Sequence, residues 1–320
     1  MTSFLFYAIS FATVLLYGCV GEIITEKVGH LNLGIPGIMC IGTAGGCIGV
    51  SLYMGIIGGQ NPSWLLLLLI SIIFSLLFSA FLGGIYALLT VTLRCNQNIT
   101  GLAITIFGTG ATDFLMTAFV DKTYFQDAGK IFARSLPFAE SLGGFGKVVL
   151  GHGILVYLAI AISILAALFL NKTRMGLHLR AVGESPATAD AAGINVTAYK
   201  YGGILVGSGI AGLGGFYYIM GYIGGNWEMA STIEAFGWLA IALVIFVLWK
   251  PQLGIVGSIL FGACFIVVNY IANITPTQKE IVKILPYVVT VVVLIVTSIF
   301  DNKENQPPAS LGLSYFREDR

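Results

Sequence analysis

The residues of this chain that could handle a polar solute are one carboxylate and several hydroxyls near its middle. Asp113 lies inside a long apolar run, and Thr105, Thr109 and Thr112 precede it at helical spacing. Residues three, four and eight apart share one face of a helix. Such a polar stripe is typical of a translocation path, and equally of a surface that packs two membrane helices together. A single carboxylate does not favour an ion relay.

Motifs for enzymatic chemistry are missing from the sequence. The nearest relative of a phosphate-binding loop, residues 143–147, is followed by Val148 and so lacks the hydroxyl that would hold magnesium. His30, His152 and His178 are isolated from one another and from the cysteines, which argues against a metal site. We therefore expect a protein that is not an enzyme and that binds no metal or cofactor itself.

The composition determines which elements must position these side chains. Of the 320 residues, 57% are hydrophobic and only 10% are charged, and the mean hydropathy is +0.92. Soluble domains carry about a quarter charged residues, so this chain cannot coat a soluble globule. A net charge of +1 offers no basic surface for nucleic acid. The sequence predicts an all-α, polytopic transmembrane helical bundle in a lipid bilayer.

Apolar runs long enough to cross a bilayer give a count of about nine crossings, within a range of eight to ten. We expect residues 1–300 to form a single transmembrane domain and residues 301–320, which are polar and contain proline, to form a flexible cytoplasmic tail. The second run is rich in glycine, which predicts a broken or re-entrant helix there. The runs are Phe4–Gly21, Leu31–Gly58, Trp64–Leu93, Ile99–Val120, Gly153–Leu170, Tyr201–Gly224, Phe236–Trp249, Leu253–Ala272 and Ile284–Phe300.

The distribution of basic residues predicts the orientation. Lysine and arginine are retained on the cytoplasmic side during insertion, and placing the N-terminus outside puts ten of the sixteen basic residues inside. The C-terminus is then inside, and so is the connection 171–200. No basic region precedes the first run, so we expect no cleaved signal peptide.

The connection 171–200 contains one short predicted helix. Ser185 can cap the first free amides, Pro186 suits the first helical position, and Gly193 can adopt the left-handed conformation that ends a helix. A helix of roughly seven residues is about 10 Å long, too short to span a membrane. We expect it to lie outside the bilayer and to contact a partner.

Four segments resemble the permeases of ABC importers for nucleosides and simple sugars, which are related to ribose and branched-chain amino acid permeases. The resemblance extends over roughly residues 25–262, and its most specific segment is Arg180–Ile194. This chain departs from the family pattern at Pro36 and at Gln97, which both replace an acidic residue, and at residues 248–250. The segments are Thr25–Met39, Asn96–Ala103, Arg180–Ile194 and Phe236–Ala242 with Pro251.

The resemblance implies that a short cytoplasmic helix docks on a separate ATP-binding subunit, which holds ATP and magnesium. The residues that match the family's coupling sequence are Arg180, Gly183, Glu184, Pro186, Ala189 and Gly193. Candidate residues of the translocation path are Asn32, Asn98, Thr105, Thr109 and Asp113.

The resemblance also implies further partners and a location. These are a second, homologous permease subunit and an extracytoplasmic substrate-binding lipoprotein that docks on outer loops 121–152 and 225–235, where Trp227, Glu228 and Glu234 offer contacts. The expected location is the bacterial cytoplasmic (inner) membrane.

The Asn32 region is closest to the nucleoside branch and favours inward nucleoside transport. Two alternatives stay open. One is a simple-sugar permease of the ribose type, and the other is a gradient-driven secondary carrier or channel.

Overall fold

The computed structural model of the protein describes residues 2–136, 143–271, 275–300 and 306–316. Within these ranges the chain is helical with no strands, as the sequence predicts. The helices are α1 (Thr2–Lys27), α2 (Ile35–Ile56), α3 (Trp64–Ala87), α4 (Gln97–Ala118), α5 (Phe125–Phe132), α6 (Gly143–Leu150), α7 (Ile154–Lys172), α8 (Arg174–Glu184), α9 (Pro186–Ala191), α10 (Val196–Tyr217), α11 (Ala230–Phe246), α12 (Pro251–Ile266), α13 (Pro276–Lys283) and α14 (Leu285–Phe300). The helices α3 and α10 each continue into a π-helical turn, over Leu88–Thr92 and Tyr218–Tyr222, and α12 continues into a 3₁₀ turn over Val267–Tyr270.

Each of the nine predicted apolar runs lies on a helix. Among the described residues, seven helices are long and apolar enough to cross a membrane when the turns that continue α3, α10 and α12 are included, namely α1, α2, α3, α4, α7, α10 and α12. The remaining two runs lie on α11, with 17 residues, and α14, with 16 residues. A polytopic helical bundle is confirmed, and crossing by α11 and α14 stays a prediction.

The expectation of a broken or re-entrant second helix is wrong, because α2 runs without interruption from Ile35 to Ile56. Its glycines lie where neighbouring backbones approach closely. A Cβ atom added at Gly37 would lie 2.5 Å from the carbonyl oxygen of Ile104 in α4, and one at Gly45 would lie 2.6 Å from the Phe78 side chain in α3. Glycine in this helix therefore permits close packing between membrane helices.

The centre of the bundle is formed by α1, which packs against α7, α10, α11 and α12. Most of its residues from Ala8 to Glu26 are buried. Gly21 and Gly207 let α1 and α10 touch backbone to backbone, since a Cβ atom at either position would collide with the carbonyl oxygen of the other. Any displacement of α1 must therefore carry its neighbours with it.

The connection between α7 and α10 folds into two helices. The shorter helix, α9, begins at Pro186 after the Ser185 side chain, which accepts a hydrogen bond from the Thr188 amide at 3.4 Å, and Gly193 follows it with φ of +80°. The capped helix predicted from the sequence is confirmed. The sequence did not predict α8, so the region expected to be mainly a loop is largely helical.

The polar segment near the C-terminus differs from the solvated tail that was expected. Ser310 donates from its backbone amide to the Gly183 carbonyl at 3.0 Å, and Gly312 donates to the Gly29 carbonyl at 3.3 Å. Tyr315 donates from its hydroxyl to Asp190 at 2.9 Å. Residues 306–316 therefore join the turn between α1 and α2 to α8 and α9. We call them the C-terminal strap.

Candidate translocation and coupling sites

The predicted polar stripe of α4 faces α2 and α11. Thr105 is buried and donates from its hydroxyl to the Leu33 carbonyl at 2.8 Å, which joins α4 to the segment preceding α2. One turn later, the Thr109 hydroxyl lies 3.0 Å from the Thr105 carbonyl and 3.0 Å from the Glu234 carboxylate of α11. A hydroxyl has one proton, so Thr109 can donate to only one of these acceptors at a time.

Two residues of α11 complete the polar surface. Glu234 and Trp238 are one helical turn apart, and the indole nitrogen of Trp238 donates to the Glu234 carboxylate at 3.4 Å. Both side chains are half-buried. The expectation that Glu234 belongs to an outer docking loop is wrong, because α11 already begins at Ala230.

Asp113 belongs to α4, and its side chain contacts the first residue of α11. Its carboxylate accepts a hydrogen bond from the Ala230 amide at 3.1 Å. The preceding residue, Met229, offers no side-chain cap, so Asp113 satisfies an amide that the helix leaves without an acceptor. Asp113 thus packs two helices together, and it is also exposed.

We call Thr109, Asp113, Glu234 and Trp238 the α4–α11 cluster. The Sγ atom of Cys40 in α2 lies beside it, donating to the Ala230 carbonyl at 3.3 Å. Two carboxylates here can accept hydrogen bonds from hydroxyl or amine groups, and the indole offers a flat apolar face to a ring. This chemistry is suited to reversible binding of a neutral polar solute.

The other two candidate path residues lie away from this cluster. Asn32 is fully buried, and its side-chain oxygen accepts from the Gly34 backbone amide at 3.0 Å while its backbone amide donates to the Glu22 carboxylate at 3.1 Å. Asn98 is exposed in the first turn of α4, eleven residues before Thr109, which is about 16 Å along the helix. The structure does not bring Asn32 or Asn98 together with Thr109 and Asp113.

A buried polar group surrounds Asn32, and the sequence analysis did not identify it. Glu22 and Glu26 lie one turn apart near the end of α1, and the Trp249 indole donates to Glu26. His30 is 1% exposed, and neither ring nitrogen has a hydrogen-bond partner among the described residues. Burial, together with the smaller effect of the nearby Lys200 charge, lowers the pKa of His30 to about 3. The four-residue spacing of the two glutamates inside an apolar run was the available signal.

The predicted coupling residues divide into exposed and buried ones. Arg180 and Glu184 are exposed on α8, where Arg180 donates to Asn171 at 3.2 Å and Glu184 accepts from the Ala309 amide at 3.3 Å. Gly193 is also exposed, and Pro186 is half-buried.

Two of the predicted coupling residues are buried within the chain. Gly183 is buried against the Lys27 carbonyl at the end of α1, and Ala189 is 4% exposed because it faces the rest of the chain. These small side chains instead allow α8 and α9 to lie close to the bundle.

Comparison with known proteins agrees with this architecture. Residues 4–294 match the family described as branched-chain amino acid transport system, permease component. The chain is similar to the nucleoside ABC transporter permease protein NupC of Lactococcus lactis, with 32% identity over 96% of this chain and 94% of that protein. It is also similar to the guanosine ABC transporter permease protein NupQ of Bacillus subtilis, with 28% identity over 97% of this chain and 95% of that protein.

A putative glucose ABC transporter permease protein, TsgC13 of Haloferax volcanii, is 31% identical over 78% of this chain and 72% of its own length. No solved structure matches the chain. The matches over nearly the whole length, together with the apolar helices, identify a multi-pass membrane protein that serves as a transport subunit. The chain therefore belongs to the family of branched-chain amino acid transport system permease components.

Proposed function

We propose that this chain is the permease subunit of an ATP-driven importer of nucleosides. ATP and magnesium bind to a separate cytoplasmic subunit, and this chain contributes the membrane path. The observation that carries the proposal is the pair of short helices α8 and α9, which connects two helices long enough to span the bilayer.

The exposed face of α9 is the proposed docking surface for the ATP-binding subunit. Ala187 and Thr188 are exposed, whereas the next residue, Ala189, is buried against the chain. A short helix with one face fixed and the other free suits insertion into a groove of a partner. Its small exposed side chains allow close approach of the partner's backbone.

Movement of α9 by the ATP-binding subunit would be transmitted to the membrane helices through α8. Gly183 lies against the Lys27 carbonyl, where α1 ends, and α1 packs against α7, α10, α11 and α12. Packed helices move as units because interiors are dense and cannot deform continuously. The ATP-binding subunit can drive alternating access if it binds the outward-open and inward-open states with different affinity.

The α4–α11 cluster is the proposed contact for the transported solute. Hydroxyl groups of a ribose can donate to Asp113 and Glu234, and a nucleobase can stack on Trp238. Nucleosides are preferred because two similar proteins carry nucleoside or guanosine in their names. Simple sugars are the second candidate, favoured by the similarity to the putative glucose permease protein.

The remaining partners follow from the family. A second, homologous permease subunit would complete the membrane unit, and a substrate-binding lipoprotein would deliver the solute from outside. We place the protein in the bacterial cytoplasmic membrane with its N-terminus outside and its C-terminus inside, so that α8 and α9 face the cytoplasm.

The docking surface can be tested by copurification with the ATP-binding subunit. Ala187→Arg should abolish copurification and substrate-stimulated ATP hydrolysis, because a long charged side chain would hold the two proteins apart. Ala133→Arg is the matched control for copurification, since Ala133 is also an exposed alanine but follows α5, in an outer loop of the proposed topology. Undiminished copurification of Ala187→Arg would refute the docking surface, and loss of copurification in Ala133→Arg would show that the orientation is inverted.

Uptake into proteoliposomes tests the energy source and the substrate class. The assembled transporter should accumulate a labelled nucleoside only when ATP and the ATP-binding subunit are present. Accumulation of a simple sugar instead would select the second candidate. Uptake by this chain alone, driven by an imposed proton or sodium gradient, would show that it is a secondary carrier.

A further inference from the structure

A polar cavity of about 480 Å³ lies at the end of the bundle that carries α9, apart from the α4–α11 cluster. The π-helical end of α3, the turn between α9 and α10, the beginning of α10 and the C-terminal strap enclose it. Its lining includes Thr90, Arg94, Asp190, Thr197, Lys200 and Tyr315. Cavities of this volume accommodate small molecules.

Lys200 is the group that gives this cavity its chemistry. It is 3% exposed, and no hydrogen bond or ion pair to its ammonium group occurs in the described part of the chain. Outside the cavity lining, Lys200 also has His30 as a neighbour, a base whose pKa of about 3 leaves it neutral near pH 7. A buried cation is normally paired or hydrogen-bonded, because removing it from water costs several kcal/mol. An anion in the cavity would supply the missing partner.

Other donors converge on the same space. Arg94 brings a second positive charge from the end of α3, and Thr197 brings a hydroxyl from the first turn of α10. That first turn lines the cavity with Val196 and Thr197, and an α-helix leaves its first amides without intrahelical acceptors. Asn195 caps one of them, the Ala198 amide, at 3.0 Å. The positive end of a 22-residue helix adds to the attraction for an anion.

One acidic residue also lines the cavity. Asp190 accepts a hydrogen bond from the Tyr315 hydroxyl at 2.9 Å, which orients its carboxylate toward the strap. The charged side chains of the lining are therefore two cations and one anion.

We propose that this cavity binds a phosphate group. Several donors on different elements suit an acceptor with three or four oxygens. Two sources have this chemistry, a small phosphorylated solute or inorganic phosphate in the cytosol, and the headgroup of an anionic phospholipid beside α3 and α10. The cytosolic location rests on the proposed orientation. A bound phosphate would link α3, the turn after α9 and α10, and so would stiffen the connection to the docking helix.

Binding can be measured on the full-length chain in nanodiscs of zwitterionic lipid. Equilibrium dialysis with radiolabelled inorganic phosphate tests the soluble source. Native mass spectrometry of discs that contain phosphatidylglycerol tests the lipid source, by counting the anionic lipids that the protein retains. Lys200→Met should weaken the observed binding at least tenfold. Lys172→Met is the matched control, because Lys172 is an exposed lysine at the end of α7, and it should leave binding within twofold of the unsubstituted chain.

Thr197→Val provides a second substitution in case Lys200→Met fails to fold, since Thr197 is exposed and its loss removes only a hydroxyl. It should weaken binding severalfold. Phosphate binding lost in either variant supports a soluble ligand, and retained lipid lost in either variant supports a headgroup. Absence of both kinds of binding in the unsubstituted chain would overturn the proposal, as would equal weakening by Lys172→Met.

Discussion

Acid should destabilise this protein through His30, which is buried between α1 and α2. Burial lowers the pKa of His30 from 6.5 to about 3 in the folded chain, so the folded state favours the neutral ring. As the pH falls below 6.5, the unfolded chain binds a proton that the folded chain excludes. The stabilisation that the neutral ring allows is therefore present above pH 6.5 and is lost progressively toward pH 3.

The magnitude follows from the two pKa values. Each unit by which the pH falls within this window lowers the free energy of unfolding by about 1.4 kcal/mol. At pH 5 the free energy of unfolding is therefore about 2 kcal/mol lower than at pH 8. The assay is thermal unfolding in detergent at pH 5 and pH 8, followed by circular dichroism. In His30→Leu, the difference in the free energy of unfolding between pH 8 and pH 5 should be about 2 kcal/mol smaller, because leucine does not titrate and leaves no ring nitrogen buried without a partner.

His152→Leu is the matched control for this measurement. His152 is also buried and lies outside the spanning helices, but its ring contacts Ser10 at 3.1 Å and the Val148 carbonyl at 2.9 Å. Burial lowers its pKa as well, and the His30 contribution should persist in this variant. An unchanged pH dependence in His30→Leu would refute the reasoning, since the buried ring would then not be the group that excludes the proton.

Three further predictions follow from the packing and the contacts. Gly108→Ala should destabilise the fold by about 1–3 kcal/mol, because its Cβ atom would lie 2.5 Å from the Gly37 carbonyl oxygen, whereas Gly110→Ala, with nothing within 4 Å, should not lower the thermal midpoint. Glu234→Gln should reduce solute uptake at least tenfold in proteoliposomes while the protein unfolds at the same temperature, and Glu280→Gln, an exposed residue paired with Lys283, should transport normally. Ser310→Pro should release the C-terminal strap, because proline lacks the backbone amide proton that Ser310 donates to the Gly183 carbonyl. Limited proteolysis should then cleave the strap faster in Ser310→Pro than in the control Leu313→Ala, where the replaced side chain is exposed. Equal cleavage rates would show that this hydrogen bond does not hold the strap.

The local structure of this chain could be predicted well from its sequence. Apolar runs indicate helices because each backbone group must be satisfied within the membrane, and the signals at Ser185, Pro186 and Gly193 are local, so α9 was predicted correctly. The glycines of α2 were misinterpreted because the same residue permits both a chain break and close helix packing. Only the position of the neighbouring helix distinguishes the two.

The candidate site was predicted only in part, because its members are far apart in the sequence. Thr109 and Asp113 could be recognised by their spacing on α4, but Glu234 reaches them only through the packing of α11. The C-terminal strap was missed for a similar reason, since its amides bond to carbonyl groups of Gly29 and Gly183, and backbone acceptors leave no trace in composition. Single-sequence patterns report what a segment is and not what it touches.

The C-terminal strap also fixes the order in which the molecule can be completed. Gly29 is synthesised early and Gly183 midway, yet the residues that join them leave the ribosome only after α14. The surface around Glu184 and Asp190 is therefore incomplete until residues 306–316 have emerged, and a shorter nascent chain cannot present it in final form to another subunit. A fusion placed close behind residue 316 would act on this late joining of the strap to the bundle.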